Sequence, residues 1–194
     1  MLDVIAGAPV SFEVFADDFD EMEAQALEIA SWGDNVYVKI PITNTRGETS
    51  VPLVERLSAQ KVQVNVTAMM TLDQVRHVAE ALREETPAVV SVFAGRIADT
   101  GLDPAPLMRE AVGILESRPK AELLWASPRE LLNIFHADEV GCHIITVTHD
   151  LLGKLSGVGK GLEQFSLETV EMFYRDASAA GYTIATGKKA AASG

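Results

Sequence analysis

One cysteine, Cys142, stands in the whole chain, and that scarcity excludes an intrachain disulfide and any cysteine-rich zinc site. The residue reads instead as a small buried hydrophobe. The four histidines, His77, His136, His143 and His149, offer no close pair at metal-ligand spacing beside an acid, so no metal is expected. Basic residues are scarce too: 16 Lys and Arg face 28 Asp and Glu, giving a formal net charge of −12. That balance argues against nucleic-acid or anionic-membrane binding. An anionic substrate stays open to it, provided individual arginines and backbone N–H groups capture it locally. No uninterrupted apolar run reaches about 18 residues and no signal-like start is present, so the expectation is a cytoplasmic protein that neither spans nor binds a membrane. Gly153, Gly157, Gly159 and Gly161 miss the spacing of a dinucleotide-binding loop. Trp32 and Trp125 read as packing residues.

What is present is a chain of 194 residues, 47% hydrophobic, enough for one domain with a substantial core. Short β-rich runs alternate with longer amphipathic stretches, which predicts βα units and a parallel sheet. The strands are expected at Val10 to Phe15, Val36 to Ile42, Val62 to Met69, Val89 to Ile97, Glu122 to Ser127 and His143 to Val147. Helices are expected at Met22 to Ser31, Val51 to Gln60, Leu72 to Arg83, Pro106 to Leu115 and Pro128 to Ala137, with Asp20, Thr71 and Ser127 as caps. The acidic cluster from Asp17 to Glu23 suits a helix start. A short helix and loop follow His149, then a last helix over 166–180 and a frayed tail over 187–194.

Successive strand residues point to opposite faces, and one face is polar in strand after strand. Ser11 shares a face with Glu13, Tyr37 with Lys39, Gln63 with Asn65 and Thr67, Ser91 with Phe93, and Trp125 with Ser127. The other face is mostly valine. Helices would cover the valine face and leave the polar residues around a lumen, as in a (β/α) TIM-type barrel. About six strands are visible where a complete barrel has eight, so the expected fold is an α/β barrel lacking its first two βα units.

Lys39 interrupts the apolar run Asn35 to Pro41 and demands a reason. An ammonium in such a strand either pairs with a carboxylate or sheds its proton. Either state serves catalysis, since a neutral lysine is a nucleophile that forms a Schiff base with a carbonyl substrate. A structural lysine, paired with an acid or snorkelling from a strand end, is the alternative.

Five segments in order carry a resemblance: Pro9-Val10-Ser11-Phe12-Glu13-Val14, Val36-Tyr37-Val38-Lys39-Ile40-Pro41, Val64-Asn65-Val66-Thr67, Ser91-Val92-Phe93-Ala94-Gly95-Arg96-Ile97 and Ala126-Ser127-Pro128-Arg129. The closing run Ile144-Ile145-Thr146-Val147 before Asp150-Leu151-Leu152 agrees with them. Over roughly residues 8–175 the chain resembles the class I transaldolases and fructose-6-phosphate aldolases. The resemblance implies Lys39 as the Schiff-base lysine, Glu13 and Thr67 as proton carriers through a water, and Asn65 as a ligand of substrate hydroxyls. Ser91 would support the pocket, while Arg96, Ser127 and Arg129 would hold the substrate phosphate. Glu13 and Phe93 are the transaldolase pair, where the aldolases tend toward Gln and Tyr.

The family's acidic first strand and its Thr-Thr-Asn-Pro-like second motif have no counterpart in this sequence. The implied activity is transfer of a dihydroxyacetone unit between sugar phosphates, without metal or organic cofactor. The alternatives are an aldolase releasing free dihydroxyacetone, and a barrel remnant that only binds sugar phosphate. Small-subunit relatives assemble as pentamers or decamers through a C-terminal helix. A homo-oligomer docking through Leu167, Val170, Met172, Phe173 and Tyr174 is therefore an expectation.

Overall fold

The structure, a computed structural model, describes residue 5 and residues 7–185. The tail expected over 187–194 lies outside the described residues. Two compact units divide the chain, Met1–Gly153 and Lys154–Gly194.

The first unit alternates strands and helices: β1 (Val10–Glu13), α1 (Phe19–Ala30), β2 (Val36–Pro41), α2 (Val51–Ala59), β3 (Val64–Met69), α3 (Leu72–Ala81) and β4 (Ala88–Val92). There follow α4 (Ala94–Ala98), α5 (Pro104–Leu115), β5 (Ala121–Trp125), α6 (Leu132–Glu139), β6 (Ile144–Ile145) and α7 (His149–Gly153). The strands form one six-stranded sheet in the order β1-β2-β3-β4-β5-β6. Every pairing is parallel. A sheet of sequential parallel strands, each joined to the next through a helix, is a barrel wall. Among the described residues this one is a partial barrel of six strands, where closure takes eight.

Strand alternation explains the main core. Val38, Ile40, Val64, Val66, Val90, Val92 and Leu123 point to the helix side and are fully buried. They pack with Met22 and Ala26 of α1, Leu53, Val54 and Leu57 of α2, Val75 and Val78 of α3, and Met108 and Ala111 of α5. Each fully buried aliphatic side chain stabilises the fold by about 1.5–3 kcal/mol. The lumen side carries a smaller apolar group, Tyr37, Val89, Leu124 and Ala126, with Phe93 and Ile144 against it.

Several elements differ from expectation, each for a local reason. The fourth strand stops at Val92, and Ala94–Ala98 turns into helix rather than running extended to Ile97. Asp18, not Asp20, caps α1, its carboxylate accepting from the N–H groups of Asp20 and Glu21 at 3.0 and 3.3 Å. Thr71 caps α3 as expected, in a full capping box with Gln74. Ser127 caps nothing. Helix α6 begins at Leu132, and Asn133 Oδ1 organises its approach by accepting from the N–H groups of Arg129 and Glu130 at 2.8 and 3.2 Å.

Trp125 also departs from its expected face. It is fully buried on the helix side, in tilted contact with His136 of α6, while Leu124 and Ala126 face the lumen. The expectation paired Trp125 with Ser127 by simple alternation, but Ser127 has φ of 62°. That left-handed residue breaks the period and returns the Ser127 side chain to the lumen. The third strand behaves alike: Ala68 has φ of 63°, the register with β4 shifts between Val66 and Met69, and Met69 joins the helix-side core.

The second unit holds a short 3₁₀ turn, Lys154–Gly157, and the helix α8, Leu162–Ala180, one turn longer at its start than expected. Gly181 closes α8 at φ of 67°, the left-handed conformation that glycine adopts without strain. None of the side chains of α8 is buried, and Leu162, Phe165, Leu167, Val170, Phe173 and Tyr174 are all exposed.

Candidate active site

Parallel register sets the first three side chains in one row: Glu13 of β1 lies opposite Lys39 of β2, and Lys39 opposite Asn65 of β3. All three point to the lumen. Lys39 Nζ stands 3.4 Å from a Glu13 carboxylate oxygen, with 31% of the lysine side chain and 47% of the glutamate exposed. The pairing that a lysine in an apolar strand requires is therefore met, at an aqueous mouth rather than in a sealed interior.

The lumen beside this pair is a cavity of about 410 Å³. Lys39, Asn65, Thr67, Ser91, Phe93 and Ser127 line it together with Ser11, Leu124, Ala126 and Thr146. Six of the nine side chains expected from sequence thus meet in one space, and Glu13 joins them through Lys39. A larger hollow of about 540 Å³ opens around Lys61 and Gln63 at the other ends of the strands. Among the described residues it contains neither a lysine–carboxylate pair nor an unpartnered buried polar atom, so the chemistry points to the lumen.

Two features give the lumen reactive character. Thr67 is 2% exposed, and its hydroxyl has no hydrogen-bond partner among the described residues. An orphaned buried hydroxyl costs stability of order 1–3 kcal/mol unless a water or ligand satisfies it. Asn65 is the second: its Oδ1 accepts from the Ser91 hydroxyl at 2.7 Å, and its Nδ2 donates to Ser11 Oγ at 2.9 Å. Below them Tyr37 is buried, and burial first, then the Glu122 charge, pushes its phenol above the ordinary range.

The two arginines stand outside the lining. Arg96, on α4, lies over the Phe93 ring at 5.8 Å and forms no ion pair among the described residues. Arg129 grips Asp99 through both arms of its guanidinium, one contact being Nε to Oδ1 at 3.0 Å. Gly95 lets these segments meet, since a Cβ there would sit 1.5 Å from the Ser127 carbonyl oxygen and 3.4 Å from Arg129 Nε. The Gly95 N–H also donates to the Ala126 carbonyl at 3.2 Å. Arg96, Ser127 and Arg129 are thereby gathered at the ends of β4 and β5.

Sequence reasoning gave no role to Ser11, Thr146, Asp99 or Gly95. Alternation with Glu13 already put Ser11 on the polar face; its contact with Asn65 depends on the curl of the sheet. Cys142 is half-buried against the main core, and burial pushes its thiol up to about 12. Among the described residues no cluster of His, Cys, Asp and Glu is arranged to hold a metal ion. No described helix is long and apolar enough to cross a membrane.

Fold and site define a partial α/β barrel whose lumen presents a lysine–carboxylate pair among hydroxyls and an amide. A family model described as Transaldolase/Fructose-6-phosphate aldolase matches residues 1–186, and the chain belongs to that family. It is 34% identical over 165 residues to a probable transaldolase 2 of Listeria monocytogenes, covering 83% of this chain and 72% of that one. A probable transaldolase of Streptococcus equi subsp. zooepidemicus is 34% identical over 153 residues, covering 78% and 68%. One from Methanococcus maripaludis is 31% identical over 165 residues, covering 83% and 73%. Among solved structures, a mandelate oxidase mutant with a monooxide FMN adduct matches with a TM-score of 0.54 at 18% identity. That match covers 74% of this chain and 49% of the other, about half its length, and bears on the fold alone.

Proposed function

We propose that this protein transfers a dihydroxyacetone unit between sugar phosphates through a Schiff base on Lys39. The observation that carries the reading is the Lys39 amine 3.4 Å from Glu13, in a cavity where the Thr67 hydroxyl has no partner among the described residues. The Lys39 amine attacks the ketone carbon, and transfer of a proton from nitrogen gives a carbinolamine. Loss of water then needs a proton delivered to the departing hydroxyl and leaves the carbon–nitrogen double bond as an iminium. Glu13 is the acceptor beside the amine. Thr67, through a water on its unsatisfied hydroxyl, is the relay.

Asn65 keeps one N–H and one lone pair for substrate hydroxyls beyond its bonds to Ser11 and Ser91. Ser91 fixes that amide and Phe93 walls the pocket. Arg96, Ser127 and Arg129 hold the phosphate, Arg96 as the unpaired cation and Arg129 as a guanidinium oriented by Asp99. Phe93 offers no hydroxyl to a water that would release the adduct, which favours transfer to an acceptor aldehyde over release of free dihydroxyacetone. Comparing products with and without an acceptor separates those two reactions. Self-assembly is part of the proposal, because the exposed apolar side chains of α8 support burial in a homo-oligomer.

Incubation with fructose 6-phosphate, reduction with borohydride and peptide mass mapping tests the reading. The expected result is a reduced adduct on Lys39. A folded chain that leaves Lys39 unmodified overturns it in favour of a barrel that only binds sugar phosphate. That binding-only barrel is kept as the second reading, supported by Arg96, which lies over Phe93 without an ion pair among the described residues.

A further inference from the structure

The Ser11–Asn65 hydrogen bond joins β1 to β3, two strands that are not neighbours, because β2 with Lys39 lies between them. Adjacent strands are about 4.8 Å apart, so strands separated by a third reach each other at 2.9 Å only through side chains leaning over an inwardly curled wall. Ser11 is exposed on the edge strand, Asn65 is 6% exposed and Ser91 is 2% exposed. The amide is thus held from both sides, by a buried hydroxyl on β4 and an open one on β1.

We propose that Ser11 is a positioning residue for the Asn65 amide. An asparagine amide has two N–H donors and two acceptor lone pairs. Ser91 occupies one lone pair and Ser11 takes one N–H, which leaves one donor and one acceptor facing the cavity in a set order. Removing Ser11 leaves only the Ser91 contact, and the amide is free to turn about its last side-chain bond. A turned amide presents an acceptor where the sugar needs a donor. The effect falls on binding of the polyol through Asn65 and not on the lysine itself. Its kinetic consequence rests on the reading of Lys39 as the Schiff-base amine.

Ser11→Thr and Ser11→Val test it as a matched pair. Both side chains are β-branched, suit a strand and have the same shape, and only Thr keeps the acceptor. Loss of one such hydrogen bond corresponds to about a fivefold effect. Trapping of Lys39 with fructose 6-phosphate and borohydride is therefore expected at an unchanged half-saturating concentration in the Thr variant and about fivefold higher in the Val variant. The saturated yield should stay equal in both, and the unfolding midpoint of Ser11→Val should fall by no more than one lost hydrogen bond accounts for.

The Asn65 side-chain amide is followed by NMR in the same proteins without substrate. Its Nδ2 protons should exchange slowly in the unsubstituted chain and in Ser11→Thr, and several-fold faster in Ser11→Val. Equal exchange in the two variants overturns the inference, as does equal half-saturation where trapping occurs. A chain that forms no adduct at all overturns the Schiff-base reading, and the exchange measurement still decides whether Ser11 holds Asn65.

Discussion

The two faces of the sheet follow different rules. Its helix side is repetitive: valine, isoleucine and leucine recur at every second position and meet apolar stripes from α1, α2, α3 and α5. Its lumen side depends on single residues, among them one charge pair, one amide held by two hydroxyls, and two non-glycine residues with positive φ. Repetition distributes stability over many interchangeable contacts. On the proposed function, singular placement concentrates the chemistry in a few side chains, whose loss is expected to cost the fold little.

The sharpest way to break this contrast is Lys39→Ala. With 31% of its side chain exposed, Lys39 contributes little to packing. The unfolding midpoint should stay nearly constant, while adduct formation and any turnover fall by about 10³-fold or more. An Ala variant that still gives a borohydride-stable adduct elsewhere in the lumen would move the nucleophile to another residue.

Gly95→Ala joins both sides, because the added Cβ would overlap the Ser127 carbonyl at 1.5 Å and backbone must move. A cost of about 3 kcal/mol or more is expected from denaturant unfolding, together with weaker retention of inorganic phosphate. Leu57→Ala touches only the repetitive side. Leu57 is fully buried, so its truncation should cost about 2–5 kcal/mol while the remaining folded protein traps substrate on Lys39 at an unchanged half-saturating concentration. A trapping defect there would mean that the faces are coupled more tightly than separate packing implies.

Ala68→Gly works in the opposite direction. A non-glycine residue in the left-handed region costs about 1–2 kcal/mol, and glycine removes that cost in exchange for greater freedom in the unfolded chain. With φ of 63° at Ala68, the substitution should stabilise the protein by about 0.5–1 kcal/mol in the same unfolding assay. Destabilisation would show that the Ala68 methyl packs for more than its backbone strain costs.

The same contrast explains what the sequence could reveal. Helix-side residues were legible because their period of two is written directly in Val36 to Pro41 and Val64 to Thr67, and the Glu13–Lys39–Asn65 row follows once the strands are set in parallel. Alternation failed where Ser127 adopts the left-handed conformation, and with it the placement of Trp125. No residue type announces that conformation there, since neither Ala68 nor Ser127 is a glycine or an asparagine. The cap on α1 was misplaced by two residues inside an acidic run in which Asp17, Asp18 and Asp20 all have a capping side chain. Ser11 was visible on its face, but its reach to Asn65 across β2 is a property of sheet curvature. Curvature belongs to the assembled wall and to no single stretch of chain.

The smallest expected effect bears on how the helix side is held. Arg56 precedes Leu57 on α2 and reaches Glu23 of α1 through two N–H groups at 2.9 and 2.6 Å. Those bonds are the main cause holding the Glu23 carboxyl below its ordinary range. The Arg56 side chain is nonetheless 47% exposed, and pairs of this kind contribute about 0–1 kcal/mol. Arg56→Ala should therefore cost about 0.5 kcal/mol at pH 7, several-fold less than truncation of its neighbour. The sign of the pH dependence follows from the lowered carboxyl. Above the ordinary value of 4.5 both folded and unfolded states carry the charge, and the pair contributes fully. As the pH falls below 4.5 the unfolded chain takes up the proton first, so the contribution declines and is gone once folded Glu23 is protonated as well. Urea titrations of the two proteins at pH 7 and near pH 3 should show their stability difference shrinking toward zero. A gap of about 2 kcal/mol or more, or one that persists in acid, would mean that the helices rely on charge where their burial pattern assigns the work to apolar contact.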